Sequence, residues 1–120
     1  MAAYRAGRLE EAAEEFARAE AGFSASGDRL AQAEMANNRA VVLLALGRAS
    51  EARAAAAGTE EVFLASGDQA RAGKALGNVA TALEGEGKYE GAESAYRRAI
   101  ACFTDAGDDE SRAHTLQALS

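Results

Sequence analysis

The sequence predicts an all-α chain, an α-α superhelix of antiparallel helical hairpins with a period of 40 residues. Three observations carry that expectation. Apolar residues recur at helical spacing: over 87–103, Tyr89, Ala92, Tyr96, Ala99, Ile100 and Phe103 share one face of a helix that follows a glycine turn. The turn and helix then come back at a fixed stride. Gly87, Ala92 and Phe103 are matched 40 residues earlier by Gly47, Ala52 and Phe63, and again by Gly7, Ala12 and Phe23. A second set, Gly27-Asp28, Gly67-Asp68 and Gly107-Asp108, has the same spacing. Glycine, aspartate and phenylalanine carry this register, so an alanine-rich background does not produce it by chance, and a period of this length marks stacked repeats. Composition is the third observation. Alanine, the best helix former, is the main filler, proline is absent, and valine and isoleucine are scarce, which disfavours sheet.

The elements follow in order. Residues 1–6 read as the last turns of a helix closed by Gly7, since glycine takes the left-handed conformation at a helix end at little cost. Residues 8–25 form the first full helix, with Leu9, Ala12, Phe16, Ala19 and Phe23 on its inner face and Glu10, Glu11, Glu14 and Glu15 on a solvated one near the positive helix end. Gly27 stops it and Asp28 caps the next helix, 28–46, whose core candidates are Leu30, Ala33, Ala36, Ala40, Leu43 and Leu44. Residues 48–65 continue more weakly, with Ala49, Ala52, Ala56 and Phe63 inward but Gly58 and Thr59 interrupting.

Residues 68–86 repeat the Asp-capped type, with Leu76, Val79, Ala80 and Leu83 inward. The interior Gly73, Gly77 and Gly85 suggest close approach of a neighbouring backbone or a ligand, because each costs about 1 kcal/mol in helix propensity. Residues 87–105 are the strongest helix, and Gly107-Asp108 starts a last one carrying Leu116 and Leu119. The unit is a hairpin of helix A (after Gly-Asp) and helix B (after Gly-Arg or Gly-Lys). The chain divides as 1–26, a partial repeat that is mainly helix B; 27–66 and 67–106, two full repeats; and 107–120, the start of another. Such hairpins bury their faces against one another.

These residues resemble a tetratricopeptide repeat over the whole chain. The best copy supplies Leu76, Val79-Ala80, Leu83, Gly87-Lys88-Tyr89-Glu90-Gly91-Ala92, Tyr96 and Ala99. The first supplies Gly7-Arg8-Leu9-Glu10-Glu11-Ala12, Phe16 and Ala19, while in the middle copy Ala49 stands for the tyrosine and Ala56 for the aromatic. The common repeat of that family is shorter and has a proline near its end. This proline-free, 40-residue unit looks more like the long-helix variety seen in kinesin light chains, regulators of spindle orientation and bacterial peptide-sensing regulators.

The resemblance implies that the A helices line a concave groove and bind an extended peptide. On that basis the groove residues are Glu34, Asn37, Asn38, Val41, Lys74, Asn78, Thr81 and His114. Asn38 and Asn78 occupy matching places one repeat apart, and an amide both donates to and accepts from a peptide backbone. Alternatively, the two asparagines make internal contacts between adjacent A helices. Asn38, Lys74 and Asn78 also resemble part of a clamp for a terminal carboxylate, although the arginine expected in place of Asn78 is missing.

Other chemistries find little support in the residues. A formal net charge of −6 argues against general binding to nucleic acid or an anionic membrane. No apolar run is long enough to span a bilayer, and the N-terminus lacks a signal-peptide core. The single Cys102 fits a reducing, cytoplasmic setting and reads as a small buried hydrophobe. With one histidine, His114, and no nucleophile-base constellation, neither a metal site nor an enzyme is expected, and no cofactor.

The expected function is therefore a protein-protein interaction scaffold with a protein or peptide partner. The alternative is a sensory or regulatory module of a larger bacterial signalling or transcriptional protein, contacting its own effector domain or a signalling peptide; the Ala, Gly and Arg content suggests a bacterial source. The chain begins and ends inside repeats, so Leu9, Phe16 and Phe23 at one end and Leu116 and Leu119 at the other are expected to be partly bare. Either the natural protein is longer, or copies self-associate through these ends.

Overall fold

Five glycines spaced 20 residues apart punctuate the structure: Gly27, Gly47, Gly67, Gly87 and Gly107 all have φ between 71° and 81°. A side chain would be strained there, and glycine is not. At each turn the glycine N–H and the N–H after it reach back to the end of the preceding helix. Asp28 N–H donates to Phe23 O at 3.0 Å and Lys88 N–H to Leu83 O at 2.8 Å. This Schellman arrangement satisfies carbonyls that a helix end leaves open. Where aspartate follows the glycine it also starts the next helix. Asp28, Asp68 and Asp108 accept from the backbone N–H of Ala31, Arg71 and Ser111 at 3.1, 3.0 and 3.1 Å. Where Arg48 or Lys88 follows, no side-chain cap forms.

The computed structural model describes residues 2–119, with side chains from residue 5 onward. It contains α1 (Ala2–Ser26), α2 (Arg29–Ala45), α3 (Ala49–Ala56), α4 (Thr59–Ala65), α5 (Gln69–Gly85), α6 (Tyr89–Ala106) and α7 (Asp109–Leu119), with no strand among the described residues. Met1 and Ser120, the outermost residues of the two partial repeats, lie outside them. Helices pack mainly on their neighbours in sequence: α1 on α2, α2 on α3 and α4, these on α5, α5 on α6, and α6 on α7. In addition α2 touches α5, so these two helices lie side by side. The radius of gyration, 14.2 Å, is near the value of about 14 Å expected for a folded chain of this length. No described helix is long and apolar enough to cross a membrane.

Alanine makes most of the interior. Ala40, Ala52, Ala56, Ala72, Ala75, Ala80, Ala82 and Ala99 are fully buried, and Phe63, Leu76, Tyr96 and Phe103 fill the wider spaces. Cys102 is buried beside Phe103, and burial pushes its thiol pKa up. Ion pairs fasten one hairpin to the next at the surface. Arg48 pairs with Glu10, and Arg53 Nε meets Glu86 Oε1 at 2.5 Å while Ser50 Oγ donates to Glu86 Oε2 at 2.9 Å. These partners hold the Glu86 carboxyl well below its ordinary range, at about 2.

Several expectations are corrected. Gly7 does not close a helix: α1 runs through it without a break, and its φ is not positive. A glycine turn gives up intrahelical hydrogen bonds, and it is stable where the preceding helix can fold back and pack. Running on through Gly7 keeps the intrahelical hydrogen bonds that a turn would give up. Tyr89, expected on the inner face of its helix, is 69% exposed because it is the first residue of α6 and projects beyond the packed region. Leu30, the second residue of α2, is 37% exposed. In α1 the buried position is Ala13, whereas Ala12 is only half-buried.

The helix expected over 48–65 is two helices. Ala57 (φ −57°, ψ 127°) and Gly58 (φ 80°) break it. The break is held by Thr59, whose Oγ1 donates to Ala56 O at 2.7 Å and is itself buried.

Candidate groove across three parallel-type helices

Because hairpins place every second helix on the same side, α2, α5 and α7 present one surface. A cavity of about 720 Å³ opens across it. From α2 come Glu34, Asn37, Asn38 and Val41; from α5, Arg71, Gly73, Lys74, Gly77, Asn78 and Thr81; from α7, Glu110, Ser111, His114, Thr115 and Ala118. Phe63 of α4 and Tyr96 and Phe103 of α6 reach it from behind. All eight residues named from the sequence line this one cavity.

Their environments differ. Near the helix starts, Glu34 Oε1 pairs with Arg71 Nη1 at 2.7 Å across α2 and α5, and Arg71 also lies 3.5 Å from Asp68. Lys74 is exposed and in no ion pair of 4 Å or less among the described residues, but it helps hold Asp108 below its ordinary pKa. The larger causes of that shift are the backbone and side-chain hydrogen bonds from Ser111. His114 is exposed.

In the middle, Asn78 Nδ2 donates to Asn37 Oδ1 at 3.1 Å, and Asn37 Nδ2 donates to Thr59 Oγ1 at 2.6 Å and Ala33 O at 3.1 Å. Toward the helix ends, Thr81 Oγ1 donates to Gly77 O at 2.9 Å and lies 3.2 Å from Tyr96 Oη. Val41 there is 54% exposed, an uncovered apolar side chain.

The sequence register pairs Asn78 with Asn38. The structure pairs it with Asn37, and Asn38 is exposed with no hydrogen bond to a described residue. The reason is rotational. Asn37 faces the helix break at Thr59, which shares none of the 40-residue pattern, so the polar contact between adjacent A helices moves by one position.

Sequence reasoning missed Arg71, Ser111 and Thr115. Arg71 stands three and seven residues before Lys74 and Asn78, spacings that share a helix face, so its signal was present. Tyr96 was assigned to the core, and its hydroxyl reaching Thr81 has no signature in spacing.

The three interior glycines of α5 divide by what they face. A Cβ on Gly73 would meet the Phe103 ring, and one on Gly85 would meet Ala49 Cβ at 2.9 Å. A Cβ on Gly77 would meet nothing within 4 Å, because Gly77 opens onto the groove. Among the described residues no three His, Cys, Asp or Glu side chains cluster to hold a metal ion. No protein-family model matches the chain, and neither the curated proteins nor the solved structures contain a match to it.

Proposed function

We propose that this chain is a protein-interaction scaffold of tetratricopeptide type, a superhelical stack of hairpins that binds an extended peptide segment in the groove of α2, α5 and α7. One observation carries the reading: the residues that the resemblance implies for a groove, from three successive A helices, line a single cavity of about 720 Å³. That volume falls within the range of about 300–1,000 Å³ usual for ligand pockets. The mixture inside also suits a peptide. Exposed Val41 and the bare backbone at Gly77 give apolar contact, and Asn38, Lys74 and Asn78 offer polar atoms that the described structure leaves uncommitted in whole or part. The chain acts by binding rather than by catalysis, and its cytoplasmic setting belongs to the same reading.

Selection from a random twelve-residue peptide library tests it. Peptides enriched on the wild-type chain are expected to bind saturably and to lose binding to Gly77→Leu, whose side chain projects into the groove without meeting the core. Thermal melts of the two proteins control for folding. A failure to enrich any saturable binder, or equal binding to the Gly77→Leu chain, refutes the proposal.

A further inference from the structure

Gly73, Gly77 and Gly85 each give up helix propensity relative to alanine inside α5. Packing within the molecule accounts for two of them: Gly73 makes room for the Phe103 ring and Gly85 for Ala49. At Gly77 a Cβ would meet nothing within 4 Å, so no neighbour in the described structure requires a glycine there. Gly77 lines the groove cavity, and the space beside it is open to an occupant.

The neighbouring turns define what surrounds that space. Gly73, one turn before, abuts Phe103, and the Thr81 hydroxyl, one turn after, lies 3.2 Å from Tyr96 Oη. Residues four apart share a helix face, so Gly77 stands between these two contacts on α5. Phe103 and Tyr96 of α6 line the same cavity, and so do Thr115 and Ala118 of α7.

The hydroxyls here already have acceptors. Thr81 gives its only proton to Gly77 O at 2.9 Å, which leaves Tyr96 as the donor across its contact with Thr81. Thr115 donates to Ser111 O at 2.7 Å. An apolar group in this space therefore strands no hydroxyl proton, which is the penalty that would otherwise keep it out. The charged lining residues belong to earlier turns. Glu34 and His114 share the place of Lys74 in the 40-residue register, and Arg71 and Glu110 come before it.

We infer that Gly77 forms one wall of a subsite for a single apolar side chain of the bound peptide, between the Phe103 and Tyr96 rings of α6 and the α7 wall. The missing side chain at Gly77 sets the size of residue accepted there. The inference rests on the peptide-binding reading and adds what the groove selects.

The test is steric and graded. Library peptides that bind wild type and not Gly77→Leu are resynthesised with each side chain in turn cut back to alanine. One apolar position is expected to lose roughly tenfold or more in affinity, the scale of a large apolar side chain leaving a buried site. At every position a set of side chains of decreasing size is then compared on wild type and on Gly77→Ala. At the apolar position the added methyl is expected to weaken the largest side chain by about fivefold or more and the smallest by less than about twofold. The preferred size drops there and nowhere else. Gly77→Ala is expected to melt at or above wild type, and a lowered melting point would mean that the space is filled and would overturn the subsite. If no position changes its size preference, or if the one that does carries a polar or charged side chain, the subsite is wrong and peptide binding survives. If no peptide passes the first selection, both fall.

Discussion

Phe103 of α6 lies where a side chain on Gly73 of α5 would be: a Cβ built on Gly73 would sit 2.7 Å from the ring's Cε1. Phe103 is buried in one cluster with Ala72, Leu76 and Ala99, which hold the ring in place. The absence of a side chain at Gly73 lets α5 and α6 pack as closely as they do. Gly73→Ala is expected to destabilise the fold by about 1–2 kcal/mol, overpacking outweighing the gain in helix propensity. Gly77→Ala, one turn later and facing open space, is expected to stabilise by about 0.5–1 kcal/mol. Urea denaturation of both variants checks this, and equal signs would contradict it.

Gly58 holds the break between α3 and α4 at φ 80°. Gly58→Ala is expected to destabilise by about 1–2 kcal/mol, the cost of a Cβ in the left-handed region. The same denaturation experiment measures it. A stabilised variant would mean that α3 and α4 join into one helix without loss.

Glu86 has a folded-state pKa of about 2 against an ordinary 4.5, held down by the Arg53 and Ser50 hydrogen bonds. A carboxyl depressed in the folded state contributes stability that is present above its ordinary pKa and is lost as pH falls through the folded value. The window is therefore from about 4.5 down to about 2. Glu86→Gln is expected to melt lower than wild type at neutral pH, with the gap closing across that window. Thermal melts as a function of pH decide it, and a constant gap would show that the loss is not electrostatic. Asp108, depressed by its cap to Ser111, leaves a residual acid dependence in both proteins.

Asn37 joins α2, α5 and the start of α4 through its amide. Asn37→Ala is expected to cost about 1–2 kcal/mol, since it also takes the acceptor from Asn78 Nδ2 and a donor from Thr59 Oγ1. In a double-mutant cycle with Asn78→Ala a coupling of about 0.5–1.5 kcal/mol is expected. Asn38→Ala, which removes no hydrogen bond among the described residues, is expected to change stability by less than about 0.5 kcal/mol. If Asn38→Ala cost as much as Asn37→Ala, the one-position offset between the sequence register and the contact would be wrong.

How far the chain could be read in advance depended on whether the signal was local. The Gly-Asp turns were legible because each is a self-contained device: glycine supplies the positive φ, aspartate caps the helix that follows, and both act within four residues. The inner faces of α2, α5 and α6 were legible for a similar reason, since helical spacing fixes which side chains share a face. Gly7 misled because its sequence context matches the other turns, yet α1 continues through it without a positive φ. Tyr89 misled because position on the helical wheel says nothing about distance along the axis from the packed region.

By itself the sequence determined the helices, their punctuation and the set of side chains that could share one surface, because periodicity and capping are written in neighbouring residues. Only the tertiary structure decided that Asn37 rather than Asn38 meets Asn78, that Phe103 claims the space at Gly73, and that the Tyr96 hydroxyl meets Thr81. Each of these depends on the rotation and spacing of helices distant in sequence, which alanine-lined interfaces set through contacts of a few ångströms that no spacing rule encodes.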